Sequence, residues 1–131
     1  MLDTDGCGRV GMLREEKDME IFLKQCKAAL RVKGLRYYSA GRPVHRLAVM
    51  GGSGGDCVDD AYTKGCDTYV TADIKYHQFL LAAELGLNLI DADHFCTEDP
   101  VMYSLKDKLS ARFPETEFIV SAVHHQIIDF I

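Results

Sequence analysis

The segment Asp91-Ala92-Asp93-His94-Phe95-Cys96-Thr97-Glu98 sets an imidazole four positions ahead of a carboxylate. A neutral imidazole nitrogen with a carboxylate oxygen is a donor pair suited to Zn, Mn, Fe or Ni. Thr97 followed by Glu98, Asp99 and Pro100 reads as a helix start, with Thr97 as N-cap and acids and Pro in the first turn. His94 then ends a buried strand and Glu98 begins a helix, so the two can face one pocket. The same residues also fit a plainer reading, in which Glu98 only favours the helix dipole and His94 is a hydrogen-bonded turn histidine.

Two further segments carry chemistry-bearing residues. In Thr71-Ala72-Asp73-Ile74-Lys75-Tyr76-His77, Asp73 is a candidate helix cap. His77, one turn into that helix, is a candidate acid/base or orienting group, or a surface histidine. In the run Gly51 to Gly55, the backbone amides of Gly52, Ser53 and Gly54 can cradle an anion such as phosphate ahead of a helix. No Gly-Lys-Ser/Thr follows, so it is not a Walker loop, and a tight turn capped by Ser53 or Asp56 is the alternative. His124 and His125 are neighbours on an extended stretch, where side chains point to opposite faces, and His45 precedes a strand; all three are left out of the site.

These segments need a scaffold that delivers them to one place. Apolar residues at Met19, Phe22, Leu23, Cys26, Ala29 and Leu30 predict a helix over 15–31, stopped by Gly34. A short strand follows at 35–38. A strand–link–helix pattern then repeats: strands at 46–50, 68–71 and 87–90, helices at 57–64, 74–85 and 98–112. A last strand is expected at 117–122. Alternating strands and helices with short links predict parallel βαβ units, hence an α/β fold, and about twenty residues per unit suits right-handed crossovers. Ligands in such sheets bind beyond the carboxyl ends of the strands, which is where all three segments fall.

At 131 residues the chain fits one domain, 1–131, with residues 1–14 reading as an interior-loop-like lead-in. Its 47% hydrophobic and 27% charged composition is that of an ordinary globular protein. A formal charge of −5 with scattered Lys and Arg argues against nucleic acid as a partner. No apolar run approaches the roughly 20 residues of a membrane helix. Five cysteines without a CxxC pair suit a reduced, cytoplasmic setting better than a disulfide framework.

Taken in order, Ala48-Val49-Met50-Gly51-Gly52-Ser53-Gly54, Asp67 through His77, and Leu89 through Glu98 resemble the C-terminal half of the NIF-three-like dinuclear metal-centre family, whose members are often labelled GTP cyclohydrolase I type 2 homologues. The opening Gly6-Cys7-Gly8-Arg9-Val10-Gly11 is similar to a loop from the middle of those proteins. The resemblance implies one α-β-(βα)3 repeat with a mixed, mostly parallel sheet, and residues 35–38 antiparallel to their neighbour. It implies two divalent metals held between two such halves and a toroidal homohexamer. The family's final His and Glu ligands correspond to His94 and Glu98, and His77 matches a histidine near the metals. Asp93 and Ala72 stand where the family commonly has Gly.

The family's His-His pair and Asp ligand lie in a half this chain lacks, so the expectation is half of a dinuclear site, holding metal weakly or not at all without the rest. Two functions follow from the resemblance. One is a metal-dependent hydrolase acting on a phosphate-containing small molecule, and the other a non-enzymatic metal-binding scaffold or regulatory interaction protein. Self-association into a dimer or larger homo-oligomer is expected of either.

Overall fold

In the computed structural model, residues 6 and 8–131 are described; the remainder of the expected lead-in, residues 1–5 and 7, lies outside them. The centre of the fold is built from two short strands, β4 (Thr68–Ala72) and β5 (Asn88–Asp91), buried at every position. Burial on both faces is what a strand flanked by parallel neighbours and covered by helices experiences. β3 (Val44–Ser53) runs parallel to β4, and β4 parallel to β5. Two antiparallel strands close the edges: β1 (Gly8–Lys17) on β3, and β2 (Arg36–Tyr38) on β5, giving the order β1-β3-β4-β5-β2. The mixed sheet, with three parallel strands at its centre, and the antiparallel β2 agree with the reading of the sequence.

Side chains alternate across the sheet, and each face has its own core. Tyr69 and Leu89 pack with Val58, Ala61, Ala82 and Leu87 on the side of α2 (Val58–Thr63) and α3 (Tyr76–Leu85). Val70 and Ile90 point the other way, onto Met19, Phe22 and Leu23 of α1 (Met19–Ala29). Each of the larger aliphatic side chains and Phe22 contributes about 1.5–3 kcal/mol on burial, so the two faces hold the strand tips in register. Polar clamps fix the opposite end of the sheet. The buried Asp67 carboxylate accepts from His45 N (3.1 Å), Arg46 N (2.6 Å) and the Thr68 hydroxyl (2.7 Å). The Asn88 amide donates to Arg42 O at 3.1 Å and accepts from Ala40 N at 2.8 Å.

Three element assignments are corrected. The lead-in and the expected helix over 15–31 conceal β1, and α1 starts only at Met19, where Asp18 caps it through Glu20 N. The Arg14-Glu15-Glu16-Lys17 run looks like a wet helix face, but at a sheet edge charged residues are also favoured because they discourage further pairing. The expected strand over 117–122 is irregular. β-Branched residues form a strand only where an edge takes up their backbone bonds; here Val120, Ser121 and Val123 instead share a shallow groove with Asp99, Met102 and Tyr103 of α4 (His94–Arg112). That last helix begins four residues before the expected 98, with consequences for the site.

Candidate metal centre

The carboxyl ends of β3, β4 and β5 meet the start of α4. Asp93 leaves β5 with a backbone φ of 69°, in the left-handed region that favours Gly, and its carboxylate accepts from Cys96 N at 3.0 Å. Asp93 is therefore the N-cap, and Thr97, expected in that role, lies inside the helix. The Thr97 hydroxyl donates to His94 O at 3.0 Å and accepts from Gly52 N at 2.9 Å, tying α4 to the tip of β3. Pro100 accordingly falls within the helix rather than in its first turn.

This early start places His94 and Glu98 on one helix at positions i and i+4, where side chains overlie one another. Glu98 Oε2 lies 3.4 Å from His94 Nε2. The other ring nitrogen, Nδ1, donates to Asp73 Oδ2 at 2.6 Å. The His94 and Glu98 side chains are 46% and 56% exposed, so both can reach a ligand from solvent. The hydrogen bond to Asp73 outweighs the opposing desolvation and, with the charges of Asp73 and Glu98, holds the His94 imidazole above its ordinary 6.5. Asp73 does not cap α3 as expected. That helix starts at Tyr76, with Lys75 before it and Lys75 N donating to Gln78 Oε1 at 2.8 Å, which leaves the Asp73 carboxylate available.

The anion cradle expected at Gly52, Ser53 and Gly54 is not formed. β3 continues through Ser53, and the helix expected at 57–64 is a 3-10 turn (Gly55–Cys57) followed by the six-residue α2. Two of the three amides are used internally: Gly52 N bonds Thr97, and Gly54 N bonds Ala72 O at 3.4 Å. Gly52 has another role. Its φ is +68°, and a Cβ there would collide with Glu98 Oε1 and lie 3.3 Å from His94 Nε2. Gly52 is the floor on which the two donors rest.

His77 is exposed on the first turn of α3, has no hydrogen-bonding or ionic partner among the described residues, and is absent from the wall of the cavity beside His94. Its exposure and its absence from that wall leave the acid/base role without geometric support.

A cavity of about 600 Å³ opens beside the pair. Asp73, Asp91, Asp93, His94 and Glu98 make its polar side, and Met102, Ile128 and Phe130 much of its apolar side. His124, set aside in the sequence, also lines it and packs on the Phe95 ring with centroids 5.0 Å apart. Gln126 donates to the Asp93 carboxylate, Lys33 pairs with Asp129, and Phe130 lies against Gly34. No periodic signal could have found these contacts, because residues 113–131 form no helix or strand and are positioned only by what they touch.

The donors present fit part of a divalent-cation shell: one imidazole with its remote nitrogen already bonded to a carboxylate, and one carboxylate beside the free nitrogen. Among the described residues no third His, Cys, Asp or Glu completes a ligand group. Cys96 is no substitute, because burial and the nearby Asp93 push its thiol pKa up and disfavour the thiolate. No helix among the described residues is long and apolar enough to cross a membrane.

Comparison with known proteins places the arrangement in context. A protein of Clostridium perfringens named GTP cyclohydrolase 1 type 2 homolog is 35% identical over 128 residues, covering 96% of this chain and 49% of its own. A Halalkalibacterium halodurans protein of the same name is also 35% identical, covering 98% of this chain and 36% of its own. The chain thus spans about half or less of the length of these relatives. The crystal structure of a Bacillus cereus protein related to NIF3 superposes with a TM-score of 0.80 at 33% identity, covering 96% of this chain and 36% of that one. A Staphylococcus aureus crystal structure gives 0.86 at 28% identity, with 95% and 37% covered. The profile described as Duf34/NIF3 (NGG1p interacting factor 3) matches residues 1–127, and the chain belongs to that family.

Proposed function

We propose that His94 and Glu98 are this chain's contribution to a divalent-metal site, and that the complete protein uses the site to hydrolyse a small phosphate-containing molecule. The observation that carries the reading is the convergence of Glu98 Oε2 on His94 Nε2 at 3.4 Å, with Nδ1 engaged by Asp73. When bound, a divalent cation supplies Lewis-acid polarisation of a substrate oxygen. The chain's own residues do the rest: Asp73 holds the Nδ1 proton, Gly52 keeps the space beneath the donors clear, and Met102, Ile128 and Phe130 give the cavity an apolar side. The names of the longer relatives, which carry the words GTP cyclohydrolase, support a purine nucleotide as the first substrate to try.

The test is binding of Zn, Mn, Fe and Ni by calorimetry, followed by metal-supplemented turnover of GTP and phosphoesters by a full-length form and its His94→Ala variant. Loss of turnover in the variant supports the hydrolase. Metal binding that depends on His94, with equal turnover in both proteins, would leave a metal-binding scaffold instead.

We also propose that the chain self-associates through α4. Only Cys96 of that helix is buried, while Val101, Met102, Tyr103 and Leu105 are exposed. Val101 and Leu105, one helical turn apart on one face, offer exposed apolar side chains to a second copy.

A further inference from the structure

We infer that Asp73 is a positioning residue that selects the tautomer of His94, keeping the ring proton on Nδ1 and the Nε2 lone pair free on the side facing Glu98. The metal-facing half of this role rests on the function proposed above; the choice of tautomer does not.

The two ring contacts are unequal. Nδ1 to Asp73 Oδ2 is 2.6 Å, the length of a charge-assisted hydrogen bond, whereas Nε2 to Glu98 Oε2 at 3.4 Å exceeds the ordinary range. A carboxylate only accepts, so the short contact needs a proton on Nδ1. The opposite tautomer would press the Nδ1 lone pair against Asp73 Oδ2 with no hydrogen between them, leaving the proton in the long, weak contact. For a half-exposed imidazole, which can otherwise rotate or change tautomer freely, this decides the matter.

The backbone around Asp73 is shaped to deliver that carboxylate. Its φ is 54°, a conformation that L-residues other than Asn and Asp rarely adopt. The turn is pinned on both sides, by Ala92 N donating to Thr71 O at 2.8 Å and by Ile74 N donating to Asp91 Oδ2 at 3.1 Å. Nothing local uses the Asp73 side chain, since the start of α3 is satisfied by Lys75 and Gln78. A strained turn whose carboxylate has His94 as its partner is explained by the ring it orients.

The experiment uses ¹⁵N-labelled, metal-free protein and two-bond ¹H–¹⁵N imidazole spectra recorded where the ring is neutral, with His94 assigned by its loss in His94→Gln. The expected wild-type pattern is a protonated Nδ1 and an unprotonated Nε2. Asp73→Gly, which accommodates the positive φ without strain, loses or reverses that pattern, and Asp73→Asn, whose amide oxygen can still accept, retains it in part. Zn(II) affinity measured in parallel falls about 10–100-fold in Asp73→Gly and less in Asp73→Asn. A wild-type ring protonated on Nε2, or the same pattern in Asp73→Gly as in wild type, overturns the inference. Expected tautomers with equal Zn(II) affinity in Asp73→Gly and wild type would instead overturn the metal-facing half of the role and leave the choice of tautomer standing.

Discussion

Glu98 follows His94 by one turn of α4, and its Oε2 lies 3.4 Å from the imidazole Nε2, above a glycine that has no room for a side chain. The pair is held together by the floor beneath it as much as by the helix, and the floor can be tested first. Gly52→Ala forces a methyl group against Glu98 and a left-handed backbone on an L-residue. The expected outcome is a loss of about 1–2 kcal/mol in stability from the backbone, with Glu98 displaced and metal binding weakened, read by denaturant unfolding and calorimetry. Unchanged values for both would show that the floor is dispensable.

The raised pKa of His94 gives metal binding a pH dependence of known sign. Hydrogen bonding to Asp73, with the negative charges of Asp73 and Glu98, favours imidazolium in the folded state, so the folded pKa exceeds the unfolded 6.5. This contribution to stability is therefore complete below pH 6.5 and disappears as pH rises through the folded value. A cation requires the deprotonated Nε2, so its affinity runs the other way and climbs across the same window. A titration of affinity against pH should show a midpoint above 6.5, moving down in Asp73→Asn. A midpoint at or below 6.5 in wild type would contradict the geometry.

Asp67 anchors the end of the sheet away from the site. Its buried carboxylate accepts two backbone N–H groups and a hydroxyl, and Asp67→Ala leaves all three without an acceptor. Chemical denaturation should show a loss of about 2–4 kcal/mol, with His94 and Glu98 chemically intact. A loss below half a kilocalorie would mean that water takes over the bonds.

The tail is expected to come away without unfolding the sheet. Residues 113–131 are held by the Phe95–His124 ring contact, Gln126 on Asp93, Lys33 on Asp129 and Phe130 over Gly34. His124→Ala combined with Gln126→Ala should speed proteolytic clipping after residue 113 and leave amide protection in β4 and β5 unchanged. Equal clipping rates in wild type and variant would show that those two contacts do not secure it.

Association through α4 predicts concentration-dependent elution in gel filtration. Val101→Glu with Leu105→Glu, both on exposed positions, should return the chain to monomer size while thermal stability stays within about 0.5 kcal/mol. A monodisperse wild-type monomer would exclude that interface.

Sequence alone determined the frame of this protein. The short runs at 68–71 and 87–90, alternating with helical patterns, read as buried strands of a parallel sheet, and the links after them then fall at one sheet edge, which puts residues 73, 94 and 98 at that edge before any coordinate is known. What lay beyond it was everything set by contact between distant segments. β1 exists because β3 offers it an edge, although its own residues suggest a helix; residues 117–122 have strand-like composition but no strand partner, and Val120 and Ser121 line a groove beside α4 instead. Two cap-forming residues four positions apart, Asp93 and Thr97, compete for the start of α4, and the backbone turn leaving β5 settles it in favour of Asp93. The bond from Asp73 to His94 spans 21 positions and follows no periodicity. Local propensity is a weak force, about a kilocalorie or less per residue, and burial and pairing override it wherever a tertiary partner is at hand.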